Sequence, residues 1–288
     1  MSTAPRSPVV SRWELALRLK TRRLELGMSA DDVSQALGFT RNYWSQVENE
    51  RTTLAEDKLT LAMDVLQFDD YEKAELAELR ETRERAWWDD PALQLDADAK
   101  HLIGLEHGAR ALRTADTSFV PGLLQTKDYA EAVIKSDPVF RAIDTSRQVR
   151  TRLARQERLT SEPRLNLTAI VSEAVIRQQI GGPEVLRRQL DHLASLIVDL
   201  DETLDVRVLP FATNPGPLIG SSTLVFMDFA SPSLPTVAWQ EAIRPLGIID
   251  DETQLTWLEV CYNRGLERCL SRADSLEAIR QASRRLSR

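Results

Sequence analysis

Cysteine, histidine, aromatic side chains and long apolar runs are all scarce in this chain, and each shortage removes a class of protein. Two cysteines in 288 residues leave no disulfide framework. Cys261 and Cys269 stand eight positions apart in what reads as one helix. That puts them about 12 Å apart along its axis, beyond the reach of a disulfide, so two reduced thiols are expected. His101, His107 and His192 show no metal-ligand spacing, so neither a zinc site nor any other metal or cofactor is expected. No apolar stretch approaches the ~18 residues of a membrane helix. The opening MSTAPRSPVVSR lacks the apolar centre of a secretory signal, and residues 1–12 read as a disordered arm. These absences predict a cytoplasmic protein with no membrane partner.

What is present is ordinary for a soluble globular chain: 42% apolar and 28% charged residues. The length suggests one small and one larger domain. The formal charge is −7, unevenly spread. Through Ala55 there are eight Arg/Lys against six Asp/Glu; beyond it there are 29 against 38. A slightly basic head on an acidic body suits a protein that meets nucleic acid at one end.

The head reads as short helices. WELALRLKTRRLEL, from Trp13, places Leu15, Leu19 and Leu26 toward one side and ends at Gly27. Ser29 and Asp32 form a capping box for a second helix carrying Val33 and Leu37, which stops at Gly38. Thr40 caps a third, RNYWSQVEN. A fourth follows from about Glu56 to Leu66, and a charge-laced fifth from about Asp70 to Trp87. Helices of about eight residues joined by short Gly-containing turns have helix-turn-helix geometry.

On the third helix, Trp44 and Val47 are three apart and belong to a core. Arg41, Asn42, Ser45, Gln46 and Asn49 then project from the opposite side. Arg suits guanine, and Asn or Gln suits adenine. Thr40 and the helix N-terminal amides suit phosphate. Tyr43 is open between packing and base readout.

From Leu19 to Asn49, the order of first-helix Arg, Gly, capped helix, Gly, capped third helix and terminal Val-Glu resembles the Xre (Cro/repressor-like) family. The resemblance implies phosphate contacts from Lys20 and Arg51 and a buried ion pair between Arg23 and Glu48. The family's Thr-Gln at the second helix is Ser29-Ala30 here, so that DNA contact is either missing or made by Ser29.

Past Trp88, DDPALQLDADA reads as a domain junction. The expected division is arm 1–12, DNA-binding domain 13–69, connecting helix and linker 70–98, and second domain 99–288. In the second domain, helices are predicted at Lys100–Arg113, Thr126–Lys135, Ser146–Leu159, Glu184–Leu200, Thr253–Leu270 and Ser271–Leu286. Strands are predicted at Thr117–Val120, Leu165–Val171, Val206–Leu209, Thr223–Phe229 and Thr236–Trp239. The fold class is α+β: an all-α helix-turn-helix domain followed by a larger mixed α/β domain, its small sheet flanked by helices.

AWWD at Ala86–Asp89, LEHGA at Leu105–Ala109, VPGLLQT at Val120–Thr126, GGPE at Gly181–Glu184 and VRVLPF at Val206–Phe211 resemble the WhiJ-like regulators of actinomycetes. That resemblance implies a transcriptional regulator whose second domain receives a small protein encoded nearby or a small-molecule ligand. Pro121, Gly122, Gln125, Tyr129 and Phe211 are the candidate contact residues. PGLLQT reads also as a structural corner, Pro210–Gly220 as a lid or an interface, and Arg147–Arg158 as a solvated face, a run salt-bridged to an acidic neighbour, or a second phosphate contact. Glu173, Asp199, Asp201, Asp205 and Asp228 could form a nuclease-like cluster only if the fold gathered them. No catalytic residue is assigned, and the chain is expected not to be an enzyme. The expected function is sequence-specific binding of double-stranded DNA as a homodimer. An antitoxin-like module that neutralises a small partner is the alternative.

Overall fold

The structure, a computed structural model, describes residues 4–81, 85–136, 142–214, 216–220, 223–241 and 245–287. Ser7-Pro8 is a helix start signal, because proline is tolerated where a first-turn N–H has no partner. Helix α1 (Pro8–Glu25) accordingly begins ahead of Trp13. Residues 8–12 are therefore helix, not the disordered arm expected there. They are ordered because Ser7 and Val9 are buried against the second domain.

The chain then follows α2 (Ala30–Ala36), α3 (Arg41–Glu48), α4 (Glu56–Val65) and α5 (Asp70–Glu81). Leu15, Leu19, Trp44, Leu59, Leu66 and Leu76 lie in one core. The fifth helix was expected to connect domains and reach Trp87. Among the described residues it runs to Glu81 and does not include Trp87; it buries Leu76 in the head core and donates from Arg80 Nε to Leu54 O at 2.9 Å. It is part of the head; residues 82–84 of the expected helix lie outside the described residues. Trp88 then inserts against the second domain, its ring edge-on to His107 at 5.0 Å.

The second domain is a six-stranded mixed sheet flanked by helices. In chain order it comprises α6 (Ala97–Gly108), β1 (Ala111–Asp116), α7 (Lys127–Lys135), α8 (Ala142–Gln156), β2 (Asn166–Ser172), α9 (Pro183–Asp199), β3 (Leu204–Leu209), β4 (Thr223–Asp228), β5 (Val237–Glu241), β6 (Pro245–Ile249), α10 (Glu252–Leu266) and α11 (Arg272–Leu286). The spatial order is β3-β2-β1-β4-β5-β6. β1, β2 and β3 run parallel through helical crossovers, whereas β4, β5 and β6 form an antiparallel meander on the other side of β1. One face packs under α10 through Ile170, Phe226 and Tyr262. The opposite face, with Leu112, Leu167 and Met227, joins a core shared with α9 and Ile279 of α11.

Three local expectations change. The helix expected at Lys100–Arg113 stops at Gly108, and the strand expected at Thr117–Val120 lies earlier, at Ala111–Asp116. ARALRTAD carries a helix-compatible composition, but its ladder partners on both sides make it a central strand. The β6 strand was not predicted. Cys269 lies past the end of α10, not on the same helix as Cys261; both thiols are free.

α1 serves both domains. Leu15 and Leu19 enter the head core, whereas Val9 enters the core of the sheet domain, with Val10, Trp13 and Leu17 packed beside it. Ser7 Oγ donates to Gly104 O at 2.6 Å, and Ser231 Oγ donates to Glu14 Oε1 at 2.6 Å. Trp13 meets Phe229 edge-on at 5.2 Å.

Candidate nucleic-acid interface

The turn between α2 and α3 is set by local chemistry. Gly38 takes φ +67°, a left-handed conformation that ends α2 without a Cβ penalty. Thr40 Oγ1 then accepts from Tyr43 N at 3.2 Å and starts α3. Ser29 caps α2 reciprocally: its Oγ accepts from Asp32 N, and Asp32 Oδ2 accepts from the Ser29 N–H at 2.7 Å. Its hydroxyl also donates to Asp32 Oδ2, so Ser29 is engaged within its own cap.

Trp44 is fully buried and Val47 nearly so, which fixes the rotation of α3. Arg23 Nε and Nη2 donate to Glu48 at 2.5 and 2.9 Å, and Trp44 Nε1 donates to the same carboxylate at 2.8 Å. Arg23 also donates to Met28 O at 2.9 Å. One buried carboxylate thus ties the first helix, the turn after it and the core face of the third. The hydrogen bond to Glu48 holds the Arg23 guanidinium above its usual value.

Arg41 and Asn42 are exposed, and Ser45 and Gln46 are half-buried. Lys20 on α1 and Arg51 beyond α3 are exposed on flanking segments. Arg41 lies 3.6 Å from Asp31, with both side chains largely solvated, a geometry that holds it weakly. Two candidates are partly committed elsewhere. Tyr43 packs edge-on against Phe39 at 4.8 Å, and Asn49 Nδ2 donates back to Ser45 O at 2.7 Å. The helix therefore presents Arg41, Asn42 and Gln46 as its least engaged polar groups.

In the second domain, the candidate contact residues separate. Pro121, Gly122 and Gln125 line a cavity of about 210 Å³ above the sheet. Tyr129 is wholly buried, its hydroxyl accepting from Val120 N, and Phe211 is exposed and lines no part of that cavity. PGLLQT is a corner held by three glutamine amides, one its own and two from α8 and α9. Gln125 Nε2 donates to Val120 O at 2.6 Å, Gln156 Nε2 to Gly122 O at 3.0 Å, and Gln189 Nε2 to Leu124 O at 2.8 Å. The Pro210–Gly220 loop is no lid over this cavity: Leu218 packs into the opposite face of the sheet, at Gly265 of α10.

The basic helix α8 and the turn that follows it are not simply a solvated face. Arg155 chelates Glu106 at 2.7 and 2.6 Å, and Arg158 donates to the carbonyls of His107, Ala109 and Pro163. Arg152 donates to Gln125 Oε1 at 2.9 Å. Burial, reinforced by Arg155, pushes Arg152 down to about 10. The salt bridge from Arg155 to an acidic neighbour was expected from the sequence; the contacts of Arg152 and Arg158 to buried neutral acceptors were not, and the available signal was helical spacing with buried Val149. Three of the five carboxylates considered for a metal site are engaged separately, Glu173 with Arg177, Asp205 with Arg207 and Asp228 with Arg113, and Asp199 and Asp201 are exposed. Among the described residues, no group of three or more His, Cys, Asp or Glu is placed to hold a metal, and no helix is long and apolar enough to cross a membrane.

Residues 14–76 match the family described as a helix-turn-helix domain, and residues 99–281 match the family described as a domain of unknown function (DUF5753). Neither a curated protein nor a solved structure matches the chain.

Proposed function

We propose, for a chain that belongs to the DUF5753 family and carries a helix-turn-helix domain ahead of it, that it is a sequence-specific transcriptional regulator of the Xre type. The observation that carries this reading is the division of α3. Trp44, Val47 and Glu48 are spent on the fold, which leaves Arg41, Asn42 and Gln46 facing outward on a helix of rigid orientation. Arg41 supplies a bidentate donor for guanine, and Asn42 and Gln46 supply amides for adenine. Lys20 and Arg51 supply phosphate contacts that set the docking register.

A single module of this size binds DNA weakly, so the working form is a homodimer on half-sites about one helical turn apart. The second domain, in the manner of the WhiJ-like regulators, receives the signal that alters occupancy of those sites, from a small protein encoded nearby or from a ligand. It performs no chemistry in this reading.

Selection of binding sites from random duplexes by the purified chain, followed by footprinting, tests the proposal. A recurrent motif with two half-sites supports it. Binding that is equal across sequences, or a chain that remains monomeric by light scattering with and without selected duplex, overturns it.

A further inference from the structure

The cavity of the second domain lies between one face of the sheet and α6, α8 and the Pro121–Gln125 corner. Its volume of about 210 Å³ exceeds the ~150 Å³ that admits a benzene ring. Leu112 of β1, Val225 and Met227 of β4 and Trp239 of β5 line it from the sheet, and Leu102 of α6 and Phe119 complete the apolar surface. A ring suits that surface, because the Met227 thioether and the Trp239 indole both make favourable contacts with an aromatic face or edge.

The ionisable groups of the lining answer one another. They are Glu106, Asp116, Arg152, Arg155 and Glu241. Arg155 chelates Glu106 at 2.7 and 2.6 Å. Arg152 feels Glu241 and Glu106 through space, and Glu241 also accepts from Trp239 Nε1 at 3.1 Å. Asp116 accepts from Thr223 Oγ1 at 3.0 Å, with Thr114 assisting, and its burial favours the neutral form. Two arginines thus stand against two glutamates. An anion on Arg152 would compete with both glutamates for it, and a cation at the acids would compete with both arginines. Either would be a desolvated charge without a partner of its own.

What the lining does offer is hydrogen bonding to an uncharged group. A guanidinium carries five N–H donors. Arg152 donates from Nη1 to Gln125 Oε1 at 2.9 Å, and among the described residues no other acceptor meets it. Gln125 is buried and donates in turn to Val120 O at 2.6 Å, so the guanidinium is held in place with N–H groups to spare. A carbonyl oxygen, with two lone pairs and no charge, is the acceptor that fits them.

We propose that this cavity binds an uncharged aromatic molecule bearing a carbonyl group, its ring against Leu112, Val225, Met227 and Trp239 and its carbonyl oxygen at Arg152. An apolar lining with one placed polar group is the usual composition of a small-molecule site. The identification deepens the reading of the second domain as a signal receiver and rests on it for its regulatory consequence; the binding itself stands on the cavity.

The test is saturation-transfer NMR on the full chain without DNA, so that its failure is separate from any failure of DNA recognition. Acetophenone and benzamide are the uncharged probes. Benzoate and benzylamine carry one charge on a similar skeleton, and ethylbenzene lacks the oxygen. At least one uncharged carbonyl probe is expected to bind at millimolar concentration, with benzoate and benzylamine weaker by about tenfold or more. Ethylbenzene is expected to fall about fivefold short of acetophenone, and Arg152→Met to erase that difference. Val225→Phe, which fills the cavity from the sheet, is expected to abolish binding. Should either variant fail to fold, the probe series on the native chain still decides. The proposal is overturned if neither carbonyl probe binds, or if a charged probe or ethylbenzene binds as well. It is equally overturned if binding survives in folded Val225→Phe, or the preference for the carbonyl in folded Arg152→Met.

Discussion

A Cβ atom on Gly104 would lie 2.2 Å from Cγ2 of Val9. The same is true one turn on, where a Cβ on Gly108 would fall 2.6 Å from Val10 Cγ2. The two glycines open a groove on α6 into which the first turn of α1 sinks, and the Ser7 hydroxyl closes it on Gly104 O. The same α6 carries Glu106, which holds Arg155 at the wall of the cavity. One helix thus touches both the DNA-binding head and the cavity of the second domain.

Gly104→Ala is accordingly expected to lift the start of α1 from the second domain. The cost of such overpacking is about 1–3 kcal/mol. Amide hydrogen exchange is the measurement: protection over residues 9–13 is expected to fall, while that of the head core around Leu19 and Trp44 holds. Unchanged protection at Val9 and Val10 would mean that the groove relaxes and does not govern docking.

Glu48→Ala is expected to destabilise the head by roughly 3–5 kcal/mol, because the Arg23 charge and the Trp44 indole N–H both lose their acceptor in a buried site. Denaturant unfolding followed by tryptophan fluorescence reads it. A loss below about 1 kcal/mol would place the pair among solvated bridges instead.

Arg41→Ala and Gln46→Ala are expected to leave the melting temperature near that of the native chain, since neither belongs to the core. Each should relax discrimination at its own base by about 1–3 kcal/mol. Lys20→Ala should instead weaken binding evenly across sequences and reduce the salt slope by about one charge. Competition binding on selected and scrambled duplexes at several salt concentrations separates the two behaviours.

Much of the head was legible because its signals are local. Ser29 with Asp32, Gly38 and Thr40 each act within a few residues, so spacing alone locates α2 and α3. The second domain is written in longer-range terms. β1 reads as helix until its partners at 166–171 and 223–228 are known. Arg155 of α8 and Arg158 just beyond it look like a wetted stripe because their acceptors, Glu106 and the carbonyls of His107 and Ala109, come from a helix end some 50 positions earlier. The helical start at Pro8 was readable in Ser7-Pro8, but what orders it is a glycine groove that no short window contains.

Asp116 provides a pH signature independent of any ligand. Burial pushes its carboxyl up to about 7 from an ordinary 3.8; the Thr223 hydrogen bond pulls the other way, as does Thr114 from the same strand face without meeting hydrogen-bond geometry. The folded chain therefore holds this proton more tightly than the unfolded chain. Between pH 4 and 7 the unfolded state carries fewer protons, so this group's contribution makes stability fall as pH rises, to a limit of roughly 4 kcal/mol above pH 7. Asp116→Asn removes the titration and keeps an acceptor for Thr223. The variant is expected to be more stable than the native chain at pH 8, with the gap closing as pH approaches 4. Chemical denaturation across that range measures it. A gap that is independent of pH would show that Asp116 carries no buried charge in the free protein.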